Sequence, residues 1–169
     1  MQVRKGTPIP YVAHLLGVAS IALENGADED EAIAAVLHDA VEDQGGESTA
    51  NEIGKRFGGR VRDIVLGCSD ADVIPKPPWR QRKERYLAHL AHASESVLLV
   101  SASDKLHNAR AILSNYRTTG EELWSRFSGG REGTLWYYRA LVTAFQLRAS
   151  TPLVEELART VTEIERLSR

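Results

Sequence analysis

The sequence predicts an all-α fold, and three observations carry that prediction. Apolar residues recur mostly at helical spacing, and alternating stretches bounded by hairpin turns are scarce. Acidic residues, glycines and prolines fall where helices start and stop. The 169 residues, 43% hydrophobic and 26% charged, have the balance of a globular protein and match one domain of the usual ~100–200 residues.

We expect a first helix over 10–25, carrying Tyr11, Leu15, Val18, Ala19 and Leu23, with Gly26 as its left-handed stop. A second follows Asp28, an N-cap whose neighbours Glu29, Asp30 and Glu31 complement the helix dipole, and runs through Ile33, Val36, Leu37 and Val41 to about Asp43. Gly58-Gly59 divides two shorter helices over 49–57 and 61–70, and 71–78, with three prolines, reads as a loop. Trp79 opens a helix to about His92, and a long helical pattern runs from Ser94 to about Tyr116. A short helix over 121–127 and a glycine-rich loop over 128–133 precede Thr134, which can cap a helix to about Arg148. Pro152 sits at the first turn of a last helix, whose Leu153, Leu157, Val161, Ile164 and Leu167 suit packing or an oligomer contact. The expected organisation is one domain over 1–169, with a core over about 4–148 and a C-terminal helix over 152–169.

Charge and cysteine content narrow the setting. Lys plus Arg number 21 against 23 for Asp plus Glu, so the net charge of −2 gives no global attraction to nucleic acid or anionic membrane. Any phosphate-binding charge must be local. No apolar run approaches the roughly 18 residues a membrane span needs. No targeting signal is visible, and Cys68, the lone cysteine, reads as a core thiol in a reducing, cytoplasmic setting.

The chemistry concentrates at 38–43, where four of the six side chains, His38, Asp39, Glu42 and Asp43, are ionisable. On one helix His38 stacks with Glu42 and Asp39 with Asp43. A histidine beside a carboxylate can bind one divalent cation, while carboxylates one turn on can hold or deprotonate its water. His14 lies on a helix expected to face this one. Asp104 follows an apolar run, where an unpaired carboxylate costs several kcal/mol and a cation resolves the cost. Together His14, His38, Asp39 and Asp104 offer two imidazoles and two carboxylates without a thiolate, a set that suits Mn or Fe better than structural Zn and leaves Zn open.

The order H…HD…D resembles the HD-domain metal-dependent phosphohydrolases. The fuller pattern resembles the hydrolase half of the RelA/SpoT alarmone enzymes and the small alarmone hydrolases. It comprises Arg4-Lys5-Gly6, Pro10-Tyr11, His14, HDxxED from His38 to Asp43, Phe57-Gly58, and DKLxN from Asp104 to Asn108, within residues 4–145. Two places depart from the family pattern: the N-terminal turn is longer, with Thr7 and Ile9 around Pro8, and His107 stands where relatives carry an aromatic hydroxyl.

The resemblance implies an HD-type helical bundle, metal ligands at His14, His38, Asp39 and Asp104, paired catalytic acids at Glu42 and Asp43, and manganese as the metal. It also implies a nucleotide substrate, guanosine tetra- or pentaphosphate, losing its 3′-pyrophosphate. Arg4, Lys5, Arg82, Lys83, Lys105 and Asn108 supply the local positive charge and hydrogen bonds such a substrate needs. The rivals are the same chemistry on a deoxynucleoside monophosphate or dinucleotide, and a non-catalytic nucleotide-binding regulator. Trp79, Trp124, Trp136, Tyr137 and Tyr138 either stack a base or, more commonly, fill the core.

Overall fold

The structure is a computed structural model that describes residues 2–69 and 77–169. Positions 70–76, most of the expected proline loop, lie outside the described residues. Among the described residues nine α-helices follow one another: α1 (Val12–Glu24), α2 (Glu29–Leu37), α3 (Ala40–Gln44), α4 (Glu47–Phe57), α5 (Gly59–Cys68), α6 (Trp79–Leu90), α7 (Glu95–Thr119), α8 (Gly130–Arg148) and α9 (Pro152–Leu167). A 3-10 segment, Gly120–Arg126, joins α7 to α8. Among the described residues the only β feature is an isolated bridge between Val3 and Pro10, which folds the N-terminal residues back on themselves.

Local chemistry sets the helix starts. Asp28 accepts from the Glu31 backbone N–H, and Glu31 answers to the Asp28 N–H, a complete capping box. Ser94 caps α7 and Thr151 caps α9, each accepting from the backbone three residues on.

Two expectations are corrected. The helix expected through to Asp43 breaks at His38-Asp39, so the ionisable cluster straddles α2 and α3. His38 Nδ1 donates to the Ala35 carbonyl at 2.7 Å and competes there with the backbone. Residues 130–133, read as loop, form the first turn of α8, and Thr134 lies inside it, its hydroxyl donating to the Gly130 carbonyl at 2.6 Å. The glycines serve a close approach instead: a Cβ on Gly129 would come within 2.6 Å of the Trp79 ring, and one on Gly133 within 3.2 Å.

The long α7 lies at the centre. It contacts α1, α2 and α5 on one side and α9 and the 3-10 segment on the other. One apolar cluster, with Val18, Ala22, Ala34, Val41, Ile53, Val61, Val65 and Val100, knits α1 to α5 onto the start of α7. A second, with Tyr86, Leu90, Leu106, Leu123, Leu141, Phe145 and Leu157, joins α6, α8 and α9 to the rest of α7. The last helix is therefore core, its Leu153, Leu157, Val161 and Ile164 all buried. Asp104 sits midway along α7, where the two clusters meet.

Candidate metal centre

Two helices and the break between two others bring the expected ligands together. His14 comes from the first turns of α1, His38 and Asp39 from the break between α2 and α3, and Asp104 from α7. His14 Nε2 lies 3.3 Å from Asp104 Oδ1 and 3.7 Å from Asp39 Oδ2, and His38 Nε2 lies 3.1 Å from Asp39 Oδ2 and 3.6 Å from Asp104 Oδ1. Ligand atoms of His14, His38 and Asp39 all fall within 4.8 Å of one another, a group able to hold a divalent ion. Both imidazoles and Asp104 are buried.

His38 gives the clearest test of fit. Its Nδ1 proton goes to the Ala35 carbonyl, so Nε2 presents a lone pair to the carboxylates, and that buried atom has no hydrogen-bond partner among the described residues. A buried lone pair between two carboxylates is the environment a cation completes. Without a cation the carboxylates recruit a proton. Burial opposes charging His38, yet Asp104 and Asp39 outweigh it and push its pKa up to about 10. Asp39 and Asp104 stay ionised despite burial: the adjacent imidazoles of His14 and His38 lower the first, and the Lys105 ammonium with both imidazoles lowers the second.

Further contacts hold this set in place. Lys105 Nζ pairs with Asp104 Oδ2 at 2.5 Å and Asn108 Nδ2 donates to Asp104 Oδ1 at 2.5 Å. Arg4 in turn donates to Asn108 Oδ1 at 2.8 Å, which anchors the N-terminal turn to α7. The Tyr11 hydroxyl donates to Asp39 Oδ2. On the far side of His14, its Nδ1 lies 2.9 Å from His107 Nδ1. Burial, with His14 and Arg4 adding, pushes the His107 pKa down to about 4, so that ring is neutral at neutral pH. Tyr11 lies one turn before His14 on the same helix face, a spacing that could have marked it; the role of His107 had no such local signal.

The cluster opens into a cavity of about 370 Å³. Arg4, Lys5, Lys83, Lys105 and Asn108 line it, as do Glu42, Thr7, Arg126, Ser128 and the aromatic Trp79, Phe127, Tyr137 and Tyr138. Lys83 Nζ stands 4.9 Å from the centre of the Tyr137 ring. Arg126, unmarked by the sequence reading, lies against Gly6. Two expected residues stand apart from this wall. Arg82 is half-buried on α6, and Asp43 is exposed, accepting from the Gln2 side chain at 3.0 Å. Cys68 meets the cavity too, but burial pushes its pKa up to about 12, which keeps it a thiol beside the Ser101 hydroxyl. Of the aromatic candidates, Trp124 belongs to the core and Trp136 lies under the Arg80 guanidinium.

Comparison with known proteins gives the chain a family and a fold. A family described as HD domain matches residues 1–135. The guanosine-3′,5′-bis(diphosphate) 3′-pyrophosphohydrolase MESH1 of Xenopus tropicalis is 42% identical over 105 residues, 61% of this chain and 56% of the relative. The chain thus spans about half the length of that relative. The crystal structure of lmo0812 from Listeria monocytogenes EGD-e superposes with a TM-score of 0.80 at 27% identity, over 90% of this chain and 99% of that one. A metazoan ortholog of SpoT has the same fold, with a TM-score of 0.79 at 24% identity over 100% of this chain and 89% of the other.

Proposed function

The chain belongs to the HD domain family, and on that footing we propose that it is a cytoplasmic, metal-dependent phosphohydrolase that removes pyrophosphate from the 3′ position of guanosine tetra- or pentaphosphate. The observation that carries this reading is the meeting of His14, His38, Asp39 and Asp104 at the end of a cavity whose wall also carries cationic and aromatic side chains. The activity in the name of the Xenopus relative supports the choice of substrate.

In this reading His14, His38, Asp39 and Asp104 hold one divalent ion, manganese by the hardness of the mixed nitrogen and oxygen set. When bound, the ion supplies an acidified water and polarises a phosphoryl oxygen. Glu42, on the cavity wall, orients or deprotonates the water that attacks the 3′-phosphate phosphorus. Asp43 acts at one remove, through the N-terminal turn that Gln2 fastens to it. Arg4, Lys5 and Lys83 neutralise phosphate oxygens, and Arg82 supports that edge from α6. Lys105 and Asn108 both orient Asp104 and face the nucleotide.

The water's oxygen joins phosphorus, the ribose O3′–phosphorus bond breaks, and O3′ leaves with a proton. Guanosine tetraphosphate with manganese should therefore yield GDP and intact pyrophosphate. No turnover there, with rapid release of orthophosphate from a deoxynucleoside monophosphate, would remove the alarmone assignment and leave only phosphohydrolase chemistry.

A further inference from the structure

The two buried imidazoles are treated alike by their surroundings. Each turns Nε2 toward the carboxylates, and each has one hydrogen-bond partner on Nδ1 among the described residues. For His38 that neighbour is the Ala35 carbonyl, which can only accept and therefore fixes the proton on Nδ1. For His14 it is another imidazole, His107, at 2.9 Å, with ring centroids 4.8 Å apart. An imidazole can accept or donate, so this contact alone leaves two arrangements. Only one of them leaves a lone pair on His14 Nε2: His14 Nδ1–H donates to His107 Nδ1.

The room for His107 is made on α1 itself. Gly17 lies one turn after His14, and a Cβ there would sit 2.5 Å from His107 Cδ2 and overlap Nε2 as well. Any side chain at 17 drives the ring off its place. Gly17, His14 and His107 thus form one packed unit across α1 and α7, with the ring confined between a bare helix backbone and the nitrogen it serves.

We propose that His107 is a positioning residue for the metal centre: it accepts the Nδ1 proton of His14, holding that ring in the ligating tautomer, and Gly17 is the space that lets it do so. The inference rests on the reading that His14 is a ligand. A partner on the far nitrogen of a ligating histidine fixes the ring and raises its basicity, and losing it costs about 10–100-fold in metal affinity or activity.

The test compares manganese affinity by titration calorimetry across four proteins: wild type, His107→Phe, His107→Asn and Gly17→Ala. Phe fills the space without an acceptor, whereas the Asn side-chain oxygen can stand near the place of Nδ1 and accept. We expect His107→Phe to bind manganese about 10–100-fold more weakly and His107→Asn to recover most of the loss. Gly17→Ala should weaken binding in the same range by displacing the His107 ring while leaving both imidazoles in the sequence, and it covers the case in which His107→Phe does not fold. Combined with His107→Phe it should add nothing further, because both changes remove one contact. In the zinc-loaded wild type, NMR should show a His14 Nδ1 proton protected from exchange with water, and His107→Phe should expose it. Wild-type affinity in His107→Phe, or equal weakening in the Phe and Asn variants, would overturn the inference while leaving the metal centre standing. A wild type that binds neither manganese nor zinc would overturn the reading beneath it as well.

Discussion

At one end of the cavity, charge is packed densely and held from every side; at the other, it is spread along a wall that separate segments supply. The Nε2 atoms of His14 and His38 each lie within 3.7 Å of both the Asp39 and Asp104 carboxylates, and Ala35, Tyr11, Lys105, Asn108 and His107 each fix one of the four side chains. Arg4 reaches the wall from the N-terminal turn, Lys83 from α6 and Arg126 from the 3-10 segment, so three separate segments supply its cations. The difference suits the two tasks proposed for these ends. A metal ion demands fixed donors, because misplaced ligands leave charge buried without a partner. A polyphosphate is flexible, and cations that can follow it bind it without such precision.

The largest effects should come from breaking the dense end. His38→Ala and Asp104→Ala are expected to lose both metal and turnover, and undiminished metal by elemental analysis in either would remove that residue from the ligand set. Asp104→Ala also strands the Lys105 ammonium, so urea unfolding should show a loss of about 3–5 kcal/mol in the metal-free protein. Glu42→Gln, at the boundary between the two ends, keeps shape and hydrogen bonding but cannot take the water's proton. Metal should stay while kcat falls about 10²–10⁴-fold, and wild-type turnover in that variant would rule out the role of base.

At the spread end a single loss matters less. Lys83→Ala should raise KM about tenfold, the size of one charge-assisted hydrogen bond, with kcat and metal content little changed. A fall in metal content would show that the two ends are one unit after all.

The smallest effect is in the pH dependence of stability. In the metal-free protein the His38 pKa is raised from 6.5 to about 10, so its charged contacts with the carboxylates stabilise the fold fully below 6.5 and fade as pH rises toward 10. A divalent ion replaces that proton. Manganese should therefore raise the Tm more at about pH 8.5 than at about pH 6, each kcal/mol being worth about 2–4 °C for a chain of this size. Equal shifts would mean that no proton is displaced.

The same contrast governs what could be read from the sequence. The dense end was legible because its signals are local: His38-Asp39 with two more acids within one turn, and Asp104 at the end of an apolar run that buries it. The contacts that organise those residues were not, since Tyr11 reaches Asp39 across 28 positions and His14 reaches His107 across 93. The break between α2 and α3 stayed hidden because a side chain competing for the Ala35 carbonyl leaves no trace in apolar periodicity. Gly129 and Gly133 misled for a related reason. Glycine marks both turns and close approaches, and only the position of the Trp79 ring separates the two. The spread end was partly legible as basic residues, but the contribution of Arg126 depends on how the 3-10 segment meets Gly6.

Which bond breaks is tested most directly by hydrolysis of guanosine tetraphosphate in isotopically labelled water. With manganese present, attack at the 3′-phosphate phosphorus places the heavy oxygen in pyrophosphate and leaves GDP unlabelled. Label in GDP, or in orthophosphate released alongside a 3′-monophosphate, would contradict the mechanism.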